Sequence, residues 1–115
     1  MNHRIDPLHV VSASATTTLG YTRVCTVGGE IDILTAPAFR KALLGSLKFG
    51  ESTLVDMSAV TFFGVAGIRA LIAARELADR RHCAMCIEGS YCVTRVLEVV
   101  GLATEFDIRK STPPG

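Results

Sequence analysis

The spacing of apolar and polar residues predicts a chain that begins with two strands. Residues 8–17 form a β-like run, and a second run over residues 21–27 follows the turn at Gly20. Two such runs separated by a glycine turn are typical of a β-hairpin. Gly28 and Gly29 are expected to stop the second strand.

Three later segments carry apolar residues at the three- and four-residue spacing of a helix. Thr35 is a suitable N-cap for the first segment, and Ser90 can cap the third. Gly101 is placed where helices commonly end. We therefore predict helices over residues 36–48, 65–80 and 91–100.

The second predicted helix has two different sides when its residues are plotted at about 100° per position. One side collects small and apolar residues: Gly67, Ala70, Leu71, Ala74, Leu77 and Ala78. The opposite side collects Val65, Arg69, Ile72, Glu76 and Arg80. We expect the first side to be buried, and the second to be exposed with two β-branched residues near its beginning.

Short strands alternate with these helices. Residues 53–57 and 83–87 are apolar runs of strand length, and Phe106 with Ile108 suggests a final edge strand. Alternation of this kind predicts an α/β domain with a mostly parallel or mixed sheet against which the helices pack. The length of 115 residues suits one domain, which we place over residues 1–109, with a disordered tail over 110–115.

Composition and charge argue against several classes of partner. Twelve Lys and Arg against eleven Asp and Glu leave a net charge of +1, so no broad field attracts nucleic acid or an anionic membrane. The amino terminus does not resemble a signal peptide, and no apolar run is long enough for membrane insertion. The sequence therefore predicts a cytoplasmic protein.

The residues that could carry catalysis are sparse. The three histidines have no nucleophile beside them in the sequence, so we predict no enzyme activity. The glycines of residues 28–29 and 64–67 precede helices, but neither segment matches a dinucleotide or phosphate-binding motif. No cofactor is predicted, although a nucleotide-binding regulator stays open as an alternative.

Four cysteines, Cys25, Cys83, Cys86 and Cys92, most simply serve as small buried apolar residues in a reducing compartment. Cys83 and Cys86 are three positions apart on a predicted strand and so face opposite sides, and no second pair completes a metal site. Cys92 falls in the first turn of a helix, which favours the thiolate. A redox role for Cys92 with Cys86 or Cys83 is therefore a hypothesis.

Two segments resemble a known family. Residues 27–36, VGGEIDILTA, resemble the signature of STAS domains of the anti-sigma factor antagonist type, and residues 54–71 look like that family's strand-to-helix segment. Residues 90–102 are similar to its last helix, so the resemblance spans roughly residues 8–109. It implies a STAS-like fold, a four- or five-strand mixed sheet with about three or four helices. It also implies a bacterial regulator that binds a kinase-type anti-sigma factor and releases a sigma factor for transcription.

The chain departs from this family at the phosphorylated turn, which normally reads Asp-Ser-Ser-Gly. Gly64 stands for the Asp, Val65 for the acceptor Ser and Ala66 for the second Ser, so the acceptor hydroxyl is lost. We expect either constitutive binding or control by another route. The resemblance and the exposed helix side together predict a partner-binding surface of Glu30, Asp32, Thr35, Phe63, Gly64, Val65, Ala66, Arg69 and Ile72.

Other interpretations of these residues stay open. The apolar members could be ordinary scattered surface residues, and Glu30 and Asp32 could serve turn formation and helix-dipole compensation instead of partner contact. The chain could also be a STAS adaptor subunit of a larger assembly, such as a stressosome-like particle or a lipid transporter. A weak homodimer is a further expectation.

Overall fold

The structure, a computed structural model, describes residues 8–18 and 20–110, and the side chains of 20–109. The described residues form five strands, three α-helices and one short 3-10 helix. In chain order these are β1 (Leu8–Thr18), β2 (Tyr21–Ile31), α1 (Ala36–Gly45), β3 (Ser52–Phe63), α2 (Val65–Arg80), β4 (Ala84–Gly89), α3 (Tyr91–Val99), the 3-10 helix (Ala103–Glu105) and β5 (Asp107–Lys110).

The strands form one mixed sheet in the order β1-β2-β3-β4-β5. β1 and β2 pair antiparallel as a hairpin, and every later neighbour pairs parallel. Each of the three parallel pairs is connected by one α-helix, and each connection leads to the next strand in the same direction across the sheet. Because such crossovers are right-handed, all three helices come to lie on one face of the sheet. The prediction of a mixed four- or five-strand sheet with helices against it is confirmed.

A single apolar core lies between the sheet and the helices. Alternate strand residues such as Val55 and Met57 point into it, while their neighbour Asp56 points to the other face. The largest fully buried side chains come from every layer: Phe39, Leu43 and Leu47 from α1 and the segment after it, Ile31, Met57 and Ile87 from the strands, and Leu71 and Leu97 from α2 and α3. Among the described residues, none of the helices combines the length and apolar content needed to cross a bilayer.

The second strand does not stop at its two glycines, as the sequence suggested. β2 continues through Gly28 and Gly29 to Ile31, and its register against β3 shifts before Gly28 and again after Gly29. A Cβ atom placed on Gly28 would lie 3.2 Å from the Cβ of Ala59, and Gly29 has a φ of 94°. The glycines therefore mark irregular strand pairing with a close neighbour, which explains why the strand survives them.

The third strand is also longer than predicted, because β3 runs to Phe63 instead of ending at Met57. β4 accompanies β3 only as far as the pair Met57–Gly89, where the Ser90 N–H donates to the Met57 carbonyl and the chain turns into α3. Beyond that point β3 pairs with β2 alone, as far as Ile31–Phe63. β1 accompanies β2 as far as the pair Leu8–Gly29, so among the described residues the sheet narrows to a two-strand ribbon only at its end, residues 30–31 of β2 and 62–63 of β3.

The helices lie close to their predicted bounds. α2 covers residues 65–80 as predicted, and its predicted buried side is buried except for Leu77, which is half-buried. α1 ends three residues early because the Ser46 hydroxyl donates to the Leu43 carbonyl at 2.7 Å and stops the helix there. α3 ends one residue early, at Val99.

The predicted chain ends are only partly covered. Lys110 belongs to β5, so the tail predicted from residue 110 loses its first residue to the sheet. Residues 111–115 of that tail, and residues 1–7 of the predicted domain, lie outside the described residues.

Candidate functional site

A tight loop follows the end of β2 and displays two apolar side chains. The Asp32 carboxylate oxygen Oδ1 accepts hydrogen bonds from the Leu34 N–H at 2.9 Å and from the Thr35 N–H at 3.0 Å. Such side-chain-to-backbone bonds fix an aspartate turn. Ile33 and Leu34 are consequently held outward, 80% and 85% exposed.

Thr35 closes the same loop from the other side. Its hydroxyl accepts the Asp32 N–H at 2.9 Å and donates to the Glu30 carbonyl at 2.8 Å. Thr35 occupies the predicted N-cap position of α1, but its side chain makes no capping bond to the helix. The hydroxyl is used for the loop, so Thr35 holds the loop in place instead of capping the helix. The interpretation of Asp32 as a turn-forming residue is confirmed.

The beginning of α2 lies directly beside this loop. The Gly64 N–H donates to the Ile31 carbonyl at 2.9 Å, which joins the N-cap of α2 to the end of β2. Val65, the first residue of the helix, is 65% exposed. Residue 65, which the resemblance aligns with the phosphoacceptor of the family, therefore lies on the surface.

The loop, the end of β3 and the start of α2 together enclose an open groove of about 470 Å³. Three exposed apolar side chains form its walls, those of Ile33, Phe62 and Val65. Asp32 and Arg69 place opposite charges on its lining, and the remaining lining residues are Gly64 and Ala66. Of the nine residues predicted to bind a partner, the structure brings Asp32, Gly64, Val65, Ala66 and Arg69 together in this groove. We call it the docking groove below.

The prediction for Phe63 is wrong. Phe63 is only 3% exposed and packs in the core beneath α2, whereas Phe62 is 51% exposed and lines the docking groove. Side chains alternate between the two faces of a strand, so one residue of this pair must point inward. Because β3 extends to Phe63, both phenylalanines lie on a strand, and the alternation of the strand makes Phe62 the exposed one.

Two other predicted residues lie outside the docking groove. Glu30 is exposed on the last part of β2, next to the loop that Asp32 orders. Ile72 is half-buried and packs against the core, so the expectation that it forms part of an exposed apolar patch is wrong. It lies two turns along α2 from Val65 and contributes to the packing of the helix.

Sequence reasoning missed three members of the surface: Ile33, Leu34 and Phe62. The signal that could have found the first two is an Ile-Leu pair between Asp32 and Thr35, since a polar turn rarely needs two adjacent apolar residues. Phe62 could have been found only by assigning residues 58–63 to a strand.

The hydrogen bonds to Asp32 also change the pKa of its carboxyl group. The bond from the Thr35 N–H lowers the pKa of the Asp32 carboxyl, partial desolvation opposes this, and the bonds from the Leu34 N–H and the Thr35 hydroxyl lower the pKa further. The folded loop therefore favours the ionised carboxylate.

This lowered pKa makes one contribution to stability dependent on pH. An aspartate with a depressed folded pKa stabilises the fold above its unfolded pKa of about 3.9 and ceases to do so as pH falls through the folded value. We expect the Asp32→Asn variant to be less stable than the natural chain at pH 7, with the difference shrinking below about pH 4. Urea unfolding followed by circular dichroism between pH 7 and pH 3 measures this, with Asp79→Asn on α2 as control. A difference that stays constant over this range contradicts the assignment.

The cysteines are not arranged as a redox pair. All four are free thiols, and burial raises the pKa of the Cys25 thiol. The Cys86 side chain lies on the sheet face away from the helices. Cys92 is at the start of α3, on the helix side, and its sulfur lies 3.2 Å from the Val60 carbonyl oxygen on β3. Cys83 precedes β4, so this six-residue strand, roughly 20 Å long, separates it from Cys92.

A disulfide needs Cα atoms within about 7 Å, so the predicted pairing of Cys92 with Cys86 or Cys83 is not supported by the geometry. Within residues 20–109, no group of three or more His, Cys, Asp or Glu side chains is placed to hold a metal ion.

A sheet with its helices on one face, and an exposed apolar groove at the carboxyl ends of two of its strands, defines a small α/β domain with a surface suited to contact another protein. The chain belongs to the STAS domain family, whose model matches residues 13–113. The resemblance seen in the sequence is thereby confirmed, and so is the predicted fold.

Solved structures place the chain near anti-sigma factor antagonists. One from Mycobacterium paratuberculosis shares 26% identity over 92% of this chain and 87% of that one, with a TM-score of 0.72. The unphosphorylated form of the antagonist SpoIIAA shares 14% identity over 92% and 89%, with a TM-score of 0.66, and shows the fold alone. So does a STAS domain antagonist from Rhodobacter sphaeroides, with 19% identity over 71% and 86% and a TM-score of 0.54. A comparison with curated protein sequences gave no match.

Proposed function

We propose that this chain is an anti-sigma factor antagonist, which binds an anti-sigma factor through the docking groove and so frees a sigma factor for transcription. The observation that carries the proposal is the set of exposed apolar side chains of Ile33, Phe62 and Val65 around one groove, in a chain similar to known antagonists. Apolar side chains at the centre and charges at the edge are the usual composition of a protein interface.

The charges on the groove suit a partner surface with both signs. Asp32 contributes a carboxylate that the loop keeps ionised, and Arg69 contributes a cation one turn into α2 from Val65. Charges at the rim of an interface mainly set orientation and association rate, and the apolar contact supplies affinity. The partner surface should therefore present an apolar centre with a basic and an acidic group on either side.

The proposal also includes binding that phosphorylation at the start of α2 does not control. None of the seven residues that line the docking groove carries a hydroxyl. Thr35, the hydroxyl residue beside it, already donates to the Glu30 carbonyl at 2.8 Å. A phosphate at this helix start would add about −1.5 to −2 charges, a switch that the natural chain lacks at residue 65.

The test is a reconstituted transcription reaction that is held inactive by an anti-sigma factor with kinase activity. Adding the natural chain should restore sigma-dependent transcription, and preincubation with ATP should leave that restoration unchanged. The Val65→Ser variant should restore transcription before ATP is added and lose this ability afterwards. The reason is that binding would have to remove the charged phosphate from water and bring it against the apolar surface of the partner. Phosphopeptide mass spectrometry identifies the modified residue.

Two outcomes would contradict the proposal. If the natural chain binds no anti-sigma factor of its host, the proposed function is wrong. Phosphorylation of Ser58 or Thr61 in the natural chain, with loss of binding, removes the claim that this site has no phosphate switch. Because anti-sigma factors of this type act inside bacteria, the proposal places the chain in the cytoplasm, and it requires neither catalysis nor a cofactor from this chain.

A further inference from the structure

The two edges of the sheet differ in how they are protected. β5, at one edge, has four residues, Asp107–Lys110, and three of them are charged. β1, at the other edge, has eleven residues, LHVVSASATTT, with no proline and no Asp, Glu, Lys or Arg. Among the described residues, β1 pairs with β2 on one side only.

An edge strand presents a row of unpaired backbone N–H and C=O groups, and such edges invite pairing with another strand. Natural proteins discourage this with short strands, charges and prolines. β5 has two of these features, whereas β1 has none and is rich in Val and Thr, which favour strands. Its regular pairing with β2 runs over Leu8–Ser14, an edge of roughly 24 Å, and a bulge separates this stretch from the last pair, Thr18–Tyr21.

We propose that β1 is the interface for a second copy of this chain, which pairs with it antiparallel about a two-fold axis perpendicular to the sheet. A strand that carries no charge meets no repulsion when it pairs with itself. The two sheets would join into one of ten strands, with all helices on the same face. The ends of that sheet would be the two β5 edges, which are short and charged, so association closes at two copies and forms no fibre.

This interface lies along the side of the sheet, whereas the docking groove lies at the ends of β2 and β3. The two-fold axis reverses the strand direction, so the two grooves of a dimer point in opposite directions. Each copy therefore keeps its groove available, and the inference is independent of which partner the groove binds.

The first measurement uses the natural full chain. Sedimentation velocity over a range of concentrations should show a reversible monomer–dimer equilibrium and no larger species. Amide NMR spectra recorded on dilution should show the largest shifts in residues 8–18. A chain that stays monomeric at about 1 mM overturns the proposal. Shifts centred on the docking groove or on β5, or growth into large assemblies, overturn it as well.

The second measurement uses the double variant Val11→Lys and Ala13→Lys. These positions pair in register with Thr26, which is exposed, and Val24, which is half-buried. Two-fold pairing would bring four like charges together, and the dissociation constant of the dimer should rise at least about tenfold. Glu76→Lys is the control, because it makes the same charge change of +2 on the exposed side of α2. An equal effect of both variants, with folding confirmed by circular dichroism, contradicts the proposal.

Discussion

Replacing Val65 with aspartate is expected to weaken binding to the anti-sigma factor about 100-fold, roughly 3 kcal/mol, without unfolding the chain. Val65 is exposed on the wall of the docking groove, where a partner would remove it from water. A carboxylate buried there loses hydration, and the exposed Arg69 one turn along α2 compensates for this only in part. At the first position of α2 the same carboxylate is favourable for the helix, since it lies near the positive end of the helix dipole.

The matched control is Val65→Thr, which keeps the shape of valine and adds no charge. In the absence of ATP its affinity should fall less than about tenfold. Isothermal titration calorimetry with the purified anti-sigma factor measures both variants, and thermal unfolding verifies the fold of each. Unchanged affinity for the aspartate variant would show that the partner binds elsewhere.

Replacing Gly67 with alanine is expected to destabilise the fold by about 1–2 kcal/mol, although alanine is normally the better helix former. A Cβ atom on Gly67 would lie 2.6 Å from Cε1 of Phe63 and 2.9 Å from Cγ2 of Ile31, both in the buried core. Either these side chains or the start of α2 must move outward. Movement of α2 would also displace Val65, so partner affinity should fall together with stability.

Gly45→Ala is the control for this effect. Gly45 is the last residue of α1, and a Cβ atom there meets nothing within 4 Å. Its substitution should leave stability unchanged or raise it by up to about 1 kcal/mol. Urea unfolding at pH 7 with circular dichroism compares the two. Equal stabilisation by both alanines would mean that α2 does not pack this closely on the sheet.

The sequence was most informative where one pattern ran without interruption. The bounds of α2 and most of its buried side could be predicted, because sixteen positions repeat a single helical period. It was least informative where two signals conflicted. A pair of glycines usually marks a turn, but here Gly28 lets β2 approach Ala59, which lies 31 residues later in the chain on another strand.

The docking groove, too, could be predicted only in part from the sequence. The place of the surface could be predicted from the residues around Val65, because the resemblance to STAS domains covered that turn. Which aromatic residue faces outward could not be predicted, since Phe62 and Phe63 are equally apolar and the choice depends on the length of β3. The exposure of Ile33 and Leu34 could not be predicted either, because it depends on the hydrogen bonds by which Asp32 fixes their turn.

The two-strand ribbon formed by the ends of β2 and β3 has a consequence for how this surface could diversify. Two-strand ribbons twist more strongly than wide sheets, so each residue pair added or removed both extends the ribbon and rotates what it carries. Insertions here would re-aim Ile33, Phe62 and Val65 without touching the pairing of β3 with β4, which ends at Met57. The length of this short projection, as much as the chemistry at its tip, can match one scaffold to partners of different shape.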